Sequence, residues 1–331
     1  MKLASYLKNN KQNLGILVEG TLYSISSLGN SFQNNMLEFL QQGAQAMKEV
    51  GEKSEEIKKG LLQCSPENNV TFLAPIPNPP SCRDGYAFRQ HVAAARRNRG
   101  VEMIKEFDQY PIFYFTNHQS IQGAGDIYCM PDHFEQLDFE LEVAVVIGKE
   151  GRNIKSKDAD EYIAGYTIMN DLSARKLQME EMLLNLGPAK GKDFSTVIGP
   201  WLVTPDELES YKVPAKEGHV GAAYNLSMKC WVNDILVSEG NMRDMDWTFA
   251  EIIERCSYGV TLHPGEVIGS GTVGTGCFLE LNGTGKLNNP AYQPQWLKEG
   301  DEIKMSIDGL GTLVNTIRAE KTDWSILALK K

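Results

Sequence analysis

The chain has 331 residues, 43 acidic and 33 basic, and a formal net charge of −10. Hydrophobic residues make up 42% and charged ones 23%, the balance of a folded globular chain and not of a disordered one. The acidic surplus has the wrong sign for a phosphate-tracking partner, which sets nucleic acid aside. No apolar run approaches the roughly 20 residues of a membrane span, so no membrane partner is expected.

The start, MKLASYLKNNKQNLG, lacks a signal-peptide core, so the expected compartment is the cytoplasm. Short strands are predicted over 15–18 and 21–24. A helix follows over 32–59, with Met36, Phe39, Leu40, Met47 and Val50 near one face and Asn35 with Glu38 as a capping pair. Four prolines then fall between Pro75 and Pro80, enforcing an extended connection and marking a domain boundary. The boundary gives a small N-terminal α/β domain over 1–75 and a larger domain over 76–331. In the second part strands are predicted over 111–116, 139–147, 166–170, 226–232, 266–268, 278–281 and 302–307. Helices are fewer, over 157–163, 172–186 and 247–256. Strands and helices do not alternate, which predicts a mixed, strand-rich sheet of the α+β class. The six cysteines lie far apart with no CxxC pair, the pattern of reduced thiols and not of disulfides or a structural zinc site.

Two glycine-rich stretches invite a nucleotide reading, and both fail. Gly269-Ser270-Gly271-Thr272-Val273-Gly274 fits GxGxxG, but the following residues read as another strand where the dinucleotide fingerprint needs a helix. The stretch from Gly187 to Asp193 has the wrong glycine spacing for a phosphate loop. No nucleotide or organic cofactor is expected.

Carboxylates carry the stronger signal. Alternation along LDFELEVAV puts Phe139, Leu141 and Val143 on one strand face and Glu140 and Glu142 on the other, about 7 Å apart. Such a pair is either a solvated face or the oxygen-only half of a site for magnesium, calcium or manganese. Asp171, Arg175 and Gln178 are spaced to share a helix face, as are Asp84 and His91.

Taken with their order along the chain, these segments resemble the fumarylacetoacetate hydrolase family. The resemblance runs from about Pro75 to Glu280 and rests on DGYAFRQH, LDFELEVAVVIG, IMNDLSARKLQ, LGPAKGKDFST, GSGT and FLELNG. It implies a β-sandwich roll for the larger domain and a metal cage of Asp84, Glu140, Glu142 and Asp171 around Mg2+ or Ca2+, with Mn2+ as a further candidate. Lys192 and Thr196 match positions at the rim of that site, Lys192 also serving catalysis. His91 matches the general base and Glu280 the carboxylate that orients it. Tyr86, Arg175, Gln178 and Thr272 match substrate contacts. A homodimer is implied as well. The segment 179–185 lacks the aromatic residue that fumarylacetoacetate-cleaving members carry there, and 113–125 also departs from the animal enzyme.

The chemistry implied is hydrolysis of a carbon–carbon bond in a β-diketo or 2-oxo acid, with fumarylacetoacetate, as in tyrosine catabolism, or an acylpyruvate as the expected substrate. A bound cation polarises the chelated carbonyl and His91 activates water. The competing reading is decarboxylation or isomerisation of a 2-oxo acid on the same metal, and a third is a non-catalytic metabolite-binding protein. The His91 and Glu280 pair favours hydrolysis, on the argument that a water-activating base is otherwise idle. His118, His133, His219 and His263 are expected to be structural or surface residues.

Overall fold

Strict alternation along the strand Leu141–Ile147 divides the interior in two. Leu141, Val143, Val145 and Ile147 enter one hydrophobic cluster, and Ala144 and Val146 enter another. In this computed structural model, which describes residues 1–331, that strand lies within a mixed eleven-stranded sheet. Its neighbours are Ile163–Asp171 on one side and Val267–Gly269 on the other, both antiparallel to it. Beyond them come Thr196–Val203 on the first side, then Cys82–Gly85 and Phe113–Thr116 on the second.

A five-stranded sheet built from Gly125–Cys129, Ser227–Val232, Ile235–Asn241, Glu302–Ile307 and Gly311–Ala319 contributes Met228, Cys230, Ile303, Met305, Leu313 and Ile317 to the first cluster. Two sheets therefore close on one core, the sandwich arrangement of a strand-rich α+β fold. The second cluster covers the opposite face of the large sheet, where Met36, Phe39, Leu40 and Val50 come from N-terminal helices. The strand Lys2–Lys8 pairs with Thr196–Val203, Leu3 opposite Leu202, so the large sheet runs on past the proline segment. Leu3, Leu14 and Ile16 share their core with Met169 and Ile198.

Several local expectations change. The helix expected over 32–59 is two helices, Met36–Gln41 and Ala44–Lys58, interrupted at Gly43 with φ of 82°. Asn35 does cap the first, accepting from the Leu37 and Glu38 N–H groups. The helix expected over 172–186 begins only at Arg175, after the strand Ser173–Ala174, and runs to Met182. Asp84 sits on the strand Cys82–Gly85 and His91 on the helix Arg89–Asn98, so they share no helix face.

The largest correction concerns 278–281, expected as a strand and found as the first turn of the helix Phe278–Asn288. Its sequence holds Gly283 and Gly285, weak helix formers, so propensity gives no signal. Tertiary contacts supply the stability. The Asp138 carboxylate accepts from Phe278 N–H at 2.7 Å and Leu279 N–H at 2.9 Å, filling the N-terminus with an anion. The GxGxxG stretch thus does precede a helix, but a protein carboxylate occupies the place a pyrophosphate would take. All six cysteines are free, and no helix is long and apolar enough to cross a membrane.

Candidate active site

Three strands of the large sheet bring their carboxylates to one point. Asp84 lies on Cys82–Gly85, Glu142 on Leu141–Ile147, and Asp171 is the last residue of Ile163–Asp171. Glu140 stands one residue before its strand, its N–H bonded to Asn170 Oδ1 at 3.0 Å. One oxygen from each of the four carboxylates lies within 4.8 Å of the others. The GSG stretch makes this approach feasible. A Cβ on Gly269 would collide with Asp84 Oδ1, and Gly271, at φ of 78°, turns its N–H onto that oxygen at 3.0 Å.

Glu142 and Asp171 have 0% exposure, which rules out the solvated-face reading. Burial raises the pKa values of Glu142, Asp84 and Asp171; neighbouring carboxylate charges add to it at Glu142 and at Asp84, which reaches about 7, whereas at Asp171 the Lys192 charge opposes it without cancelling it. At Glu140 burial pushes the same way but loses to Lys192, Arg175 and His91, which together bring its pKa down to about 2. Lys192 Nζ lies 2.5 Å from Glu140 and 2.7 Å from Asp171. Arg175 is held by Asp138 at 2.9 Å, Glu140 at 2.7 Å and Gln178 at 3.0 Å. Burial works against the Lys192 charge, and the two carboxylates overcome it and raise its pKa. A protonated ammonium has no lone pair for a metal, so Lys192 offsets the charge of Glu140 and Asp171 and would not itself ligate a bound cation.

Do these residues fit a divalent cation? Glu142 Oε2 and Asp171 Oδ1 are buried and have no hydrogen-bond partner in the protein. An unpartnered buried carboxylate oxygen is costly, and two of them converging with Asp84 and Glu140 form an all-oxygen donor set. That set suits Mg2+, Mn2+ or Ca2+. Thr272 Oγ1 donates to Glu142 Oε1 at 3.3 Å, and Thr196 is the cross-strand partner of Asp171 with its hydroxyl 3.3 Å from that of Thr116. Both threonines border the carboxylates.

The second half of the site joins two helices. His91 Nδ1 is 2.6 Å from Glu280 Oε2, and since an ionised carboxylate only accepts, Nδ1 donates and Nε2 is left free to exchange a proton. Thr275 N–H holds the other Glu280 oxygen at 3.0 Å, and Asn98, on the His91 helix, donates to the Glu280 carbonyl at 3.0 Å. Tyr86 packs edge-on to the imidazole at a centroid distance of 6.0 Å. A ring nitrogen of His91, a Glu140 oxygen and Cys277 Sγ lie within 4.8 Å of one another, which places the dyad against the carboxylate cage.

Two residues escaped sequence reasoning. Asp138 orients Arg175 and caps the Glu280 helix. Tyr114, cross-strand partner of Asp84, donates its hydroxyl to Asp171 Oδ2. Only the strand pairing brings Tyr114 there, so its sequence context carried no signal. Tyr114→Phe is expected to weaken Mn2+ binding by about tenfold, because the hydroxyl orients a ligand carboxylate. Calorimetric titration checks this, and an unchanged affinity would show that the bond orients nothing. His133 is structural, accepting from Met130 N–H at 3.2 Å and stacked 4.0 Å from Phe194, with burial lowering its pKa to about 4.

Residues 81–318 match the family model for the C-terminal part of fumarylacetoacetate (FAA) hydrolase. The chain belongs to the fumarylacetoacetate hydrolase family. Among relatives of this family, the Homo sapiens protein named oxaloacetate tautomerase FAHD2A, mitochondrial, is 32% identical over 306 residues, covering 90% of this chain and 84% of that one. A fumarylacetoacetate hydrolase structure from Exiguobacterium antarcticum superposes with a TM-score of 0.71 at 24% identity, covering 97% of this chain and 100% of the other. The Sphingobium maleylpyruvate hydrolase, solved with manganese(II) and pyruvate, gives a TM-score of 0.68 at 21% identity over the same shares. The protein is thus an enzyme of a family that includes hydrolases and tautomerases, on the shared α+β fold.

Proposed function

We propose that the protein interconverts the keto and enol forms of a short 2-oxo dicarboxylic acid of the oxaloacetate type, on a divalent cation. The observation that carries this reading is the His91–Glu280 pair set against the carboxylate cage through Glu140. Tautomerisation consists of moving one proton between carbon and oxygen, and an oriented imidazole is what that step requires. The relative named as an oxaloacetate tautomerase supports it, since the likeness covers 90% of this chain. The argument that an idle base implies hydrolysis therefore does not hold, because enolisation also uses a base. Cleavage of fumarylacetoacetate and a place in tyrosine catabolism gain no support from that relative. Its name also says mitochondrial, whereas the sequence led to a cytoplasmic expectation for this chain.

Asp84, Glu140, Glu142 and Asp171 would hold Mg2+ or Mn2+. When bound, the cation supplies polarisation of the 2-oxo group and a counter-charge for the enolate. His91 Nε2 takes a proton from the carbon between the two carbonyl carbons, and Glu280 steadies the resulting imidazolium through Nδ1–H. The imidazolium then returns the proton to oxygen or to carbon, according to direction. Lys192 and Arg175 keep Glu140 ionised throughout, so that it remains an anionic donor.

The test follows the enol absorbance of oxaloacetate with Mg2+ while NMR identifies the products. The expected result is faster keto–enol equilibration at unchanged mass, abolished by a chelator. Pyruvate with carbon dioxide would assign a decarboxylase instead, and two fragments from an acylpyruvate would assign the hydrolase.

A further inference from the structure

The proposed reaction leaves the thiol of Cys277 unused. Cys277 has 0% exposure and lies within reach of His91 and Glu140, their ligand atoms all within 4.8 Å. We propose that His91 Nε2, Cys277 Sγ and a Glu140 oxygen form a second cation site that takes Zn2+, and that filling it withdraws His91 from proton transfer.

Ligand chemistry separates this site from the carboxylate cage beside it. Thiolate, imidazole and one carboxylate are the donors that borderline-soft Zn2+ selects, whereas four carboxylates suit hard ions. Donor atoms around a tetrahedral ion lie roughly 3.3–3.7 Å apart, so small side-chain shifts bring these three into place. A histidine on zinc typically passes its other N–H to a carboxylate, and the Nδ1 bond to Glu280 at 2.6 Å already has that form. Glu140 uses its oxygens on Arg175 and Lys192, but each retains a further lone pair. Binding releases the thiol proton of Cys277 to solvent and forms a zinc–sulfur bond, with no change of oxidation state. Glu140 belongs to both sites, so the zinc ion sits next to the cage and not inside it.

Occupancy of the site stands on this geometry alone. Its effect on turnover rests on the proposed role of His91, so the two are measured separately. With Mg2+-loaded full-length protein, Co2+ serves as the spectroscopic probe, and a near-ultraviolet thiolate-to-cobalt band is expected in the wild type. The band should vanish in Cys277→Ser and in His91→Asn. Serine is itself a good N-cap, so the helix starting at Phe278 keeps its cap in the first variant. In turnover assays Zn2+ should inhibit the wild type, with inhibition weakened about tenfold or more in Cys277→Ser. No band in the wild type, or a band and inhibition unchanged in Cys277→Ser, would overturn the site. A cobalt band with undiminished turnover under Zn2+ would keep the site but overturn the withdrawal of His91, and with it the base assignment.

Discussion

His91→Asn is expected to lower keto–enol turnover by about 10²- to 10⁴-fold while Mn2+ affinity changes little. The bond from Nδ1 to Glu280 orients the imidazole and leaves Nε2 as the exchanging atom. Glu280→Gln should also slow the reaction, because an amide oxygen accepts from Nδ1 but no longer stabilises the imidazolium with a full charge. Rates with Mg2+ at saturating substrate, paired with a Mn2+ titration of each variant, separate loss of chemistry from loss of the ion. Turnover by His91→Asn within twofold of the wild type would remove His91 from the mechanism.

Arg175→Met is expected to destabilise the protein by about 3–5 kcal/mol. Arg175 is 2% exposed and neutralises two carboxylates that are themselves buried, Asp138 and Glu140. Removing it leaves Asp138 with its bonds to Phe278 and Leu279 N–H but without its cation, and leaves Glu140 with Lys192 only. Loss of a single partner from such a group costs more than the pair contributes, since the remaining charge stays desolvated. Urea unfolding in the absence of metal measures the loss. Adding Asp138→Asn to the variant should recover part of it, because the uncompensated charge is then gone. A loss below about 1 kcal/mol would mean that the network relaxes by admitting water.

The same network explains which parts of the fold were readable in the sequence. The alternation from Phe139 to Ile147 was legible because each face of that strand enters a different core, and the cage carboxylates Glu140 and Glu142 continue the pattern of Ala144 and Val146. The capping of a helix by Asn35 was legible because it is local. By contrast, the helix starting at Phe278 depends on Asp138, which is 140 positions away, so its local residues resembled a strand. The role of Tyr114 likewise depends on the pairing of its strand with Cys82–Gly85. Arg175 illustrates a middle case. Its motif marked it for the site, but only the packed structure shows it committed to Asp138, Glu140 and Gln178.

Everything proposed for this protein turns on a cation held by Asp84, Glu140, Glu142 and Asp171 beside the His91 imidazole. Crystals soaked with Mn2+ and oxalate, a two-toothed mimic of a 2-oxo acid, test that directly through manganese anomalous scattering. The account predicts one strong peak bonded to oxygens of those four carboxylates, with oxalate on the open side next to His91. A peak elsewhere, or none while oxalate is bound, would contradict it.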